Sequence, residues 1–577
     1  MNSMRVQTPR WIPTQDTVRE MLAPALVFIV ACLDRQFQTD FWMHLARGGE
    51  IVRTGDFLTA DHFTIAGAGE VIRDPNWLSQ VFYFHLFSWG GLALIQTCNT
   101  LVLAGSVWLL VRLARHNGAS SRAAGAAGVI AFLVAWQTFL IRPQSFSMLL
   151  FVLLYAVLSR PRSATLLVWP PAILLLWANL HGGFLIGLLL IAIFALACVV
   201  ERVREYFLGV APSPGILGEG WGEGDLEFQP AWCSNSPSPQ PSPAVPGEGA
   251  RKPGQSAPWL ISSFFLSFVA TLINPSGWRV YQYAFSLTAR VLPRHIEEWL
   301  PPSMNQWIGQ ALVASGVLIA LLYLLQRRRP AIRDCLLMLC FFPLALHSAR
   351  MVVWWAIVAT PIIASLLGSL ERSKLEVRSS RLGAGISAAF CAILACMCVL
   401  SLPCLEKFNP IFAKIRSAHR IESDLDAICR STGFQPVALG GSQVRVIFAR
   451  LEWGQYLDWK LGPQGRIFID GHIELVSDQT WRDYCRITSG MPRWEELLDQ
   501  YRVDCLVLDR NYHSALLSQL KHAAQWTETC RAGDAILVVR TPPETLVDDP
   551  TMSRLVVSPS QTVVHTSVGG DDLIPGE

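Results

Sequence analysis

Charge is scarce in this chain. Asp, Glu, Lys and Arg make up 16% of its 577 residues and nearly cancel, leaving a formal +3. So small an excess provides no basic surface for a polyanion, which excludes nucleic acid as a partner. The sequence holds no pair of CxxC motifs and no HExxH, so the usual signatures of a structural or catalytic zinc site are missing. The 14 cysteines fall mostly inside apolar runs, as Cys335, Cys340, Cys391, Cys396 and Cys398 do, and there they read as small hydrophobes. Nor is there an internal repeat, the mark of many transporters built from repeated halves.

Apolar sequence is what the chain has in quantity. Hydrophobic residues reach 51% and the mean hydropathy is +0.34, the profile of a polytopic membrane protein with a soluble part attached. Eleven apolar runs are candidate spans: Met21–Leu33, Leu92–Leu113, Ala124–Leu140, Ser145–Leu158, Leu166–Leu180, Phe184–Val200, Trp259–Ile273, Ile308–Leu325, Cys335–Leu346, Met351–Leu367 and Gly383–Leu402. Several are shorter than the ~20 residues of a straight crossing. Such helices stop short of one face and leave a partly wet cavity lined by protein.

Arginine sets the orientation. Arg5, Arg10 and Arg19 precede the first run, and every second connection thereafter is basic: Arg115 and Arg122, Arg160 and Arg162, Arg202 and Arg204, Arg327-Arg328-Arg329, Arg372 with Lys374. The short connections between them hold Arg142, no basic residue, and Arg350. That alternation puts the N-terminus in the cytoplasm, and an odd number of spans puts everything after Leu402 outside. Ile29-Val30-Ala31-Cys32 resembles a lipoprotein processing site, but no short basic region abuts it and many spans follow.

The expected organisation is a cytoplasmic N-terminus (1–20), a transmembrane domain (21–402) whose first external loop (34–91) carries interfacial helices, an external domain (403–540) and a disordered tail (541–577). Residues 211–258 hold Gly-Glu-Gly-Trp-Gly-Glu-Gly and Ser-Pro-Ser-Pro-Gln-Pro-Ser-Pro. Such composition cannot bury a core and predicts a disordered cytoplasmic insert. In the external domain Arg445–Phe448, Arg466–Ile469, Asp504–Leu508 and Ala535–Val539 read as strands. Trp453–Leu461, Asp478–Ile487, Trp494–Tyr501 and Ser514–Leu520 have helical spacing, so the domain reads as a small α/β fold.

With that orientation the polar clusters converge on the external side. The first loop holds Asp40, His44, Asp61, His62, Asp74, Asn76 and Trp77. Later external turns supply Arg142-Pro143, Asn179-Leu180-His181-Gly182-Gly183, Asn274-Pro275, Glu297-Glu298-Trp299 and His347-Ser348-Ala349-Arg350. Acids that take a proton, arginines that hold phosphate and tryptophans that stack on a sugar suit group transfer from a lipid phosphate. Each residue also has a structural reading. Asp40 fits the N-cap of a helix starting at Phe41, Trp42 and Trp77 fit an aromatic belt, and His44 fits a hydrogen-bonded histidine at the interface. Arg350 could reach the headgroups. Asp470-Gly471 reads as a turn, while Trp453, Tyr456 and Trp459 are suited to packing the external domain onto the membrane part.

Thr-Asp-Phe-Trp-x-His-Leu-x-x-Gly from Thr39, Asn-Trp-Leu-Ser-Gln from Asn76, Trp-Ala-Asn-Leu-His-Gly-Gly-Phe from Trp177 and Asn-Pro-x-Gly-Trp from Asn274 resemble a group of bacterial polytopic membrane proteins assigned to the glycosyltransferase C (GT-C) superfamily. Glu452-Trp453-Gly454-Gln455-Tyr456 and Ile469-Asp470-Gly471-His472 extend the resemblance into the external domain. It implies an enzyme that uses a polyprenyl-phosphate-linked sugar, with the first-loop acid, Asp40, as catalytic base. Two departures stand out: the group commonly has an acid where Asn76 stands and arginine where His472 stands.

The sequence reading is therefore a polytopic α-helical membrane protein of about eleven spans, GT-C-like, with a small external α/β C-terminal domain, in the bacterial inner membrane. Its expected activity is transfer of a sugar from a polyprenyl-phosphate donor to an unidentified acceptor on the external face. Asp40, His44 and Asp74 are the expected catalytic residues. Arg350, Arg142, Trp42, Asn76, Trp77, Asn179, His181 and His347 are the expected substrate-binding ones. A divalent cation between Asp40 and Asp74 is left open, and no metal ligands are assigned. The rival readings are a lipid or solute transporter or flippase, and a non-catalytic scaffold that presents the external domain.

Overall fold

A computed structural model describes residues 13–33, 40–208, 256–291, 294, 296–372, 382–409, 421–431, 445–462 and 465–541. Nearly all of the expected insert, the tail beyond 541 and the first residues of the N-terminal segment lie outside the described residues, as does Thr39.

Each of the eleven apolar runs coincides with a helix. They are α1 (Gln15–Leu33), the second half of α3 (Trp77–His116), α4 (Ser121–Ala135), α5 (Gln144–Leu158), α6 (Ser163–Leu180), α7 (Phe184–Leu208), α8 (Ala257–Thr271), α10 (Trp307–Gln326), α11 (Ile332–His347), α12 (Val352–Arg372) and α13 (Leu382–Leu400). Among the described residues five helices are long and apolar enough to cross a membrane, and three shorter ones are apolar. The chain is a multi-pass membrane protein. Two further helices are amphipathic instead: α2 (Phe41–Thr54), which buries Phe41, Trp42, Leu45 and Ile51, and α9 (Arg279–Val291). The sequence reading anticipated the first and missed the second, since Arg279, Gln282 and Arg290 keep α9 below the threshold of an apolar run.

Glycines shape the site at two points. Gly90 and Gly91 break α3, Gly91 with φ at 61°, a region that only glycine enters freely. The bend sets the first part of α3 against α2. At Gly48 a Cβ would stand 2.1 Å from the Gln80 carbonyl oxygen, so only glycine permits this approach of α2 to α3.

The C-terminal domain is a five-stranded sheet in the order β2-β1-β3-β5-β4. Its strands are β1 (Arg445–Ala449), β2 (Gly465–Ile467), β3 (Cys505–Asp509), β4 (Trp526–Ala532) and β5 (Ala535–Arg540). β1 runs parallel to β2 and β3, while β5 runs antiparallel to β3 and β4. Helices α14 (Ile421–Arg430), α15 (Leu451–Leu461), α16 (Asp478–Thr488), α17 (Trp494–Gln500) and α18 (Ser514–Leu520) pack around it. Four strands and four helices lie where their periodicity put them. The edge strand β4 was missed because its middle is exposed and polar, and a bulge at Glu528/Cys530 breaks its alternation.

The domain is joined to the membrane part by a shared core. Phe41, Trp42, Leu45, Tyr83 and Leu86 pack in one cluster with Leu425, Ile447, Trp453, Tyr456 and Leu457. Trp42 meets Tyr456 edge to face at 4.8 Å, and Phe87 meets Trp459 at 5.2 Å. The first loop also extends the sheet edge: Ile65 N–H donates to the Ile467 carbonyl at 2.9 Å, and Ala66 N–H to that of Phe468 at 3.0 Å.

Candidate active site

The turns at one end of the helix bundle and one face of the C-terminal domain enclose a cavity of about 280 Å³. Asp40, His44 and Asn76 reach it from the first loop, Arg142 from the start of α5, and His181 from the α6–α7 turn. Glu298, Trp299 and Arg350 come from the connections before α10 and α12, and Gly471, His472 and Glu474 from the C-terminal domain. Leu185, Ile186, Leu287, Val291, Met351 and Trp354 make the remaining wall largely apolar.

Two arginines face the cavity around one carboxylate. Arg142 donates to Glu298, and Arg350 stands 3.5 Å from the same group. The Arg350 guanidinium also lies 4.6 Å from the centre of the Trp299 ring. Burial pushes Glu298 up, but Arg350 and Arg142 outweigh it and hold the carboxyl at about 2. Asp40 faces Arg142 at 3.8 Å. It occupies the N-cap position of α2, yet its carboxylate makes no capping hydrogen bond and is 35% exposed. Among the described residues its carboxylate is therefore tied to Arg142 alone and not to the helix it precedes.

A second group of charges is packed behind and beside the first. Burial favours neutral Asp74, but its hydrogen bond to His472, the charge of His472 and the Asn76 backbone N–H win, and it is held below the usual carboxylate range. Asp74 accepts from the Asn76 side chain at 2.6 Å and from Gln80. His472 lies 3.5 Å from Asp74 and 3.2 Å from Glu474, which also accepts from Tyr283 at 3.3 Å. Burial and Arg47 push His472 down, but the two carboxylates raise it to about 10, so it is an imidazolium. Arg47 donates to Asp470 at 2.7 Å with both side chains buried, and Asp470 in turn accepts the His472 backbone N–H at 2.9 Å. His44 and His181 are the opposite case: burial lowers them to about 4 and about 3, and both stay neutral.

Of the residues singled out from sequence, Asp40, His44, Asn76, Arg142, His181 and Arg350 line this cavity. Asp74 stands one layer back, engaged with Asn76, Gln80 and His472. Trp77 and Asn179 tie one another, Trp77 Nε1 donating to Asn179 Oδ1 at 3.0 Å, while the Asn179 amide donates to the Ile273 carbonyl at 2.9 Å. They brace helix ends rather than face a ligand. Trp42 is buried under Tyr456, because the C-terminal domain covers the face of α2 that the sequence leaves looking free. His347 ends α11 exposed and outside the cavity wall. Sequence reasoning missed Arg47, Gln80, Glu298, His472 and Glu474 as site residues. Gln80 and His472 stood within quoted motifs and Glu298 beside Trp299 in an external turn, whereas Arg47 fell on an unspecified position of the first-loop motif and Glu474 carried no local signal.

A cation between Asp40 and Asp74 does not fit these residues. Asp40 faces an arginine, and Asp74 is occupied by three donors. Among the described residues no group of three or more His, Cys, Asp or Glu side chains is arranged to hold a metal.

No family model matches the chain, and no curated protein matches it in sequence. Among solved structures it is similar to the archaeal oligosaccharyltransferase AglB from Archaeoglobus fulgidus in complex with an inhibitory peptide and a dolichol-phosphate. That match has a TM-score of 0.43 and 12% identity, over 88% of this chain and 72% of that one. AglB tethered to an acceptor peptide gives 0.46 and 13% over the same shares. ArnT from Cupriavidus metallidurans bound to undecaprenyl phosphate gives 0.44 and 12%, over 91% of this chain and 98% of that one. The likeness is distant, and the functional reading rests on the side chains of the cavity.

Proposed function

We propose that this protein is a membrane glycosyltransferase that moves a sugar from a polyprenyl-phosphate carrier to an acceptor on the external face. The observation that carries the reading is the convergence of Asp40, a cavity carboxylate not held between two arginines, and of Arg142 and Arg350 on a single cavity with an apolar wall. In the reaction, Asp40 takes the proton of an acceptor hydroxyl as its oxygen bonds to the anomeric carbon. The bond from that carbon to the phosphate oxygen breaks, and the electron pair leaves with the lipid phosphate. Arg350 and Arg142 stabilise the developing charge, where preorganised donors are most effective. Attack opposite the leaving group inverts the anomeric centre.

The same reading takes all eleven apolar helices as crossing a bacterial inner membrane, with the N-terminus cytoplasmic and the cavity and C-terminal domain external. The alternation of arginine between connections supports it. The cavity sits at helix ends rather than at mid-membrane depth between repeated halves, which favours an enzyme over a transporter.

The test is to incubate the purified full-length protein with a panel of polyprenyl-phosphate sugars and follow free polyprenyl phosphate. Release by the wild type and its loss in Asp40→Asn, with donor binding retained, is the expected result. Asp40→Asn at full activity, or no turnover of any donor in the panel, contradicts the reading.

A further inference from the structure

A line of side chains runs from the C-terminal domain into the cavity, and the direction of each hydrogen bond follows from the one before it. His472 stands between Asp74 and Glu474, its Nε2 3.5 Å from the first and its Nδ1 3.2 Å from the second. Ionised carboxylates only accept, so both ring nitrogens carry protons. Asp74 also receives Gln80, and the amide must present its NH₂ there, because the reverse orientation would set the Gln80 carbonyl against a carboxylate. The same amide nitrogen lies 3.1 Å from His44 Nδ1. An NH₂ group only donates, so Nδ1 is the acceptor and the proton of the ring is on Nε2.

We propose that Gln80, anchored by the Asp74–His472 pair, is a positioning residue that fixes His44 as an Nε2–H donor toward the cavity. This assigns the C-terminal domain a part in the site's chemistry, and it makes His44 a hydrogen-bond donor where the sequence reading had an assisting acid-base residue. The ligand it serves rests on the reading above: a phosphate or sugar oxygen accepts from Nε2–H, whereas a bare Nε2 would present its lone pair to that oxygen.

His181 repeats the arrangement on another element. Its Nδ1 accepts the Gly183 backbone N–H at 3.0 Å and lies 2.8 Å from Ser147 Oγ, which itself accepts from Trp177 Nε1 at 2.7 Å. That ring too is left with its proton on Nε2. Two imidazoles, one on α2 and one in the α6–α7 turn, therefore line one cavity with the same nitrogen as donor. Gly48, which lets α2 approach the Gln80 backbone, is what brings the first of them within reach. The charged or titratable groups facing His44 are Asp74, Asp40, His472 and Arg47.

The experiment has two arms. In ligand-free full-length protein labelled at the histidine ring nitrogens, nitrogen NMR reads the tautomer of His44, assigned by its disappearance in His44→Gln. A protonated Nε2 with a bare Nδ1 is expected in the wild type, and Gln80→Met, which keeps the length and removes the amide, should give mixed tautomers. A wild-type proton on Nδ1, or a Gln80→Met spectrum identical to the wild type, overturns the proposal. In the second arm polyprenyl phosphate is the probe. His44→Gln places an amide nitrogen near the position of Nε2 and should keep binding, while His44→Phe should weaken it about tenfold or more, the size of a hydrogen bond to a charged group. Equal loss in both overturns the donor role. Failure of the wild type to bind polyprenyl phosphate would instead count against the reading of function, and the tautomer arm would still decide this proposal.

Discussion

The two charged walls of the cavity differ in what their charges are doing. On the helix-turn wall Arg142, Arg350, Glu298 and Asp40 keep side-chain exposures of 13%, 20%, 33% and 35%. On the wall toward the C-terminal domain His472, Asp74 and Glu474 are at 5%, 6% and 7%, with Arg47 and Asp470 behind them at 0% and 2%. The first set, partly exposed, can exchange its partners for a ligand at less cost than a fully buried pair. The second cannot, because a buried charge that loses its partner is strongly destabilising. A single cavity thus has a side open to a ligand and a side that holds two domains together.

Replacing Arg47 breaks that division most severely. Arg47→Met leaves Asp470 without its cation and Asp458 without the guanidinium 4.0 Å away. It should lower stability by about 3–5 kcal/mol, the range for one partner lost from a buried pair. Thermal unfolding of the detergent-solubilised protein measures this, and a loss no larger than that of an exposed arginine variant would show that the buried wall is not the structural one.

Alkali probes the same wall less drastically. The folded protein holds His472 at about 10 against an ordinary 6.5. A group raised on folding contributes its full stability below the lower value and loses it as pH rises through the higher one. Stability should therefore decline between about pH 6.5 and 10 through this residue, and His472→Gln should flatten that decline. Hydrogen exchange at residues 465–476 is the local readout: relative to the intrinsic base-catalysed rate, protection should fall across that window in the wild type and hold level in His472→Gln.

Acid probes the exposed wall with a smaller effect. Glu298 is held at about 2 against an ordinary 4.5, so its contribution is present above 4.5 and lost as pH falls toward 2. With the carboxylate one-third exposed, Glu298→Gln should cost no more than about 1 kcal/mol at neutral pH. A larger drop in unfolding temperature than that of Arg47→Met would reverse the comparison.

The exposed wall was the more legible of the two in the sequence. Asp40, Arg142, His181 and Arg350 each lie close to the end of an apolar run, so local hydropathy and arginine alternation located them and implied that they share a side. The buried wall had no such signal. Arg47 and Asp470 are far apart in the chain, and each alone reads as a surface charge or a turn; only the folded contact makes them a pair. The same blindness explains Trp42, whose aromatic face at a helix start looks available until α15 is packed over it. It also explains His472, which in the sequence was only a departure from the arginine of the resembled group and in the fold is an imidazolium strut between Asp74 and Glu474.

The most direct test of the account is binding of polyprenyl phosphate to nanodisc-embedded protein, read by phosphorus NMR. Wild type and Asp40→Asn should both shift the phosphate resonance. Arg350→Ala should weaken binding by about 2–5 kcal/mol while leaving the unfolding temperature close to that of the wild type. Unaltered affinity in Arg350→Ala, or a wild type that leaves the phosphate resonance unmoved, would contradict the claim that the exposed wall is a lipid-phosphate site.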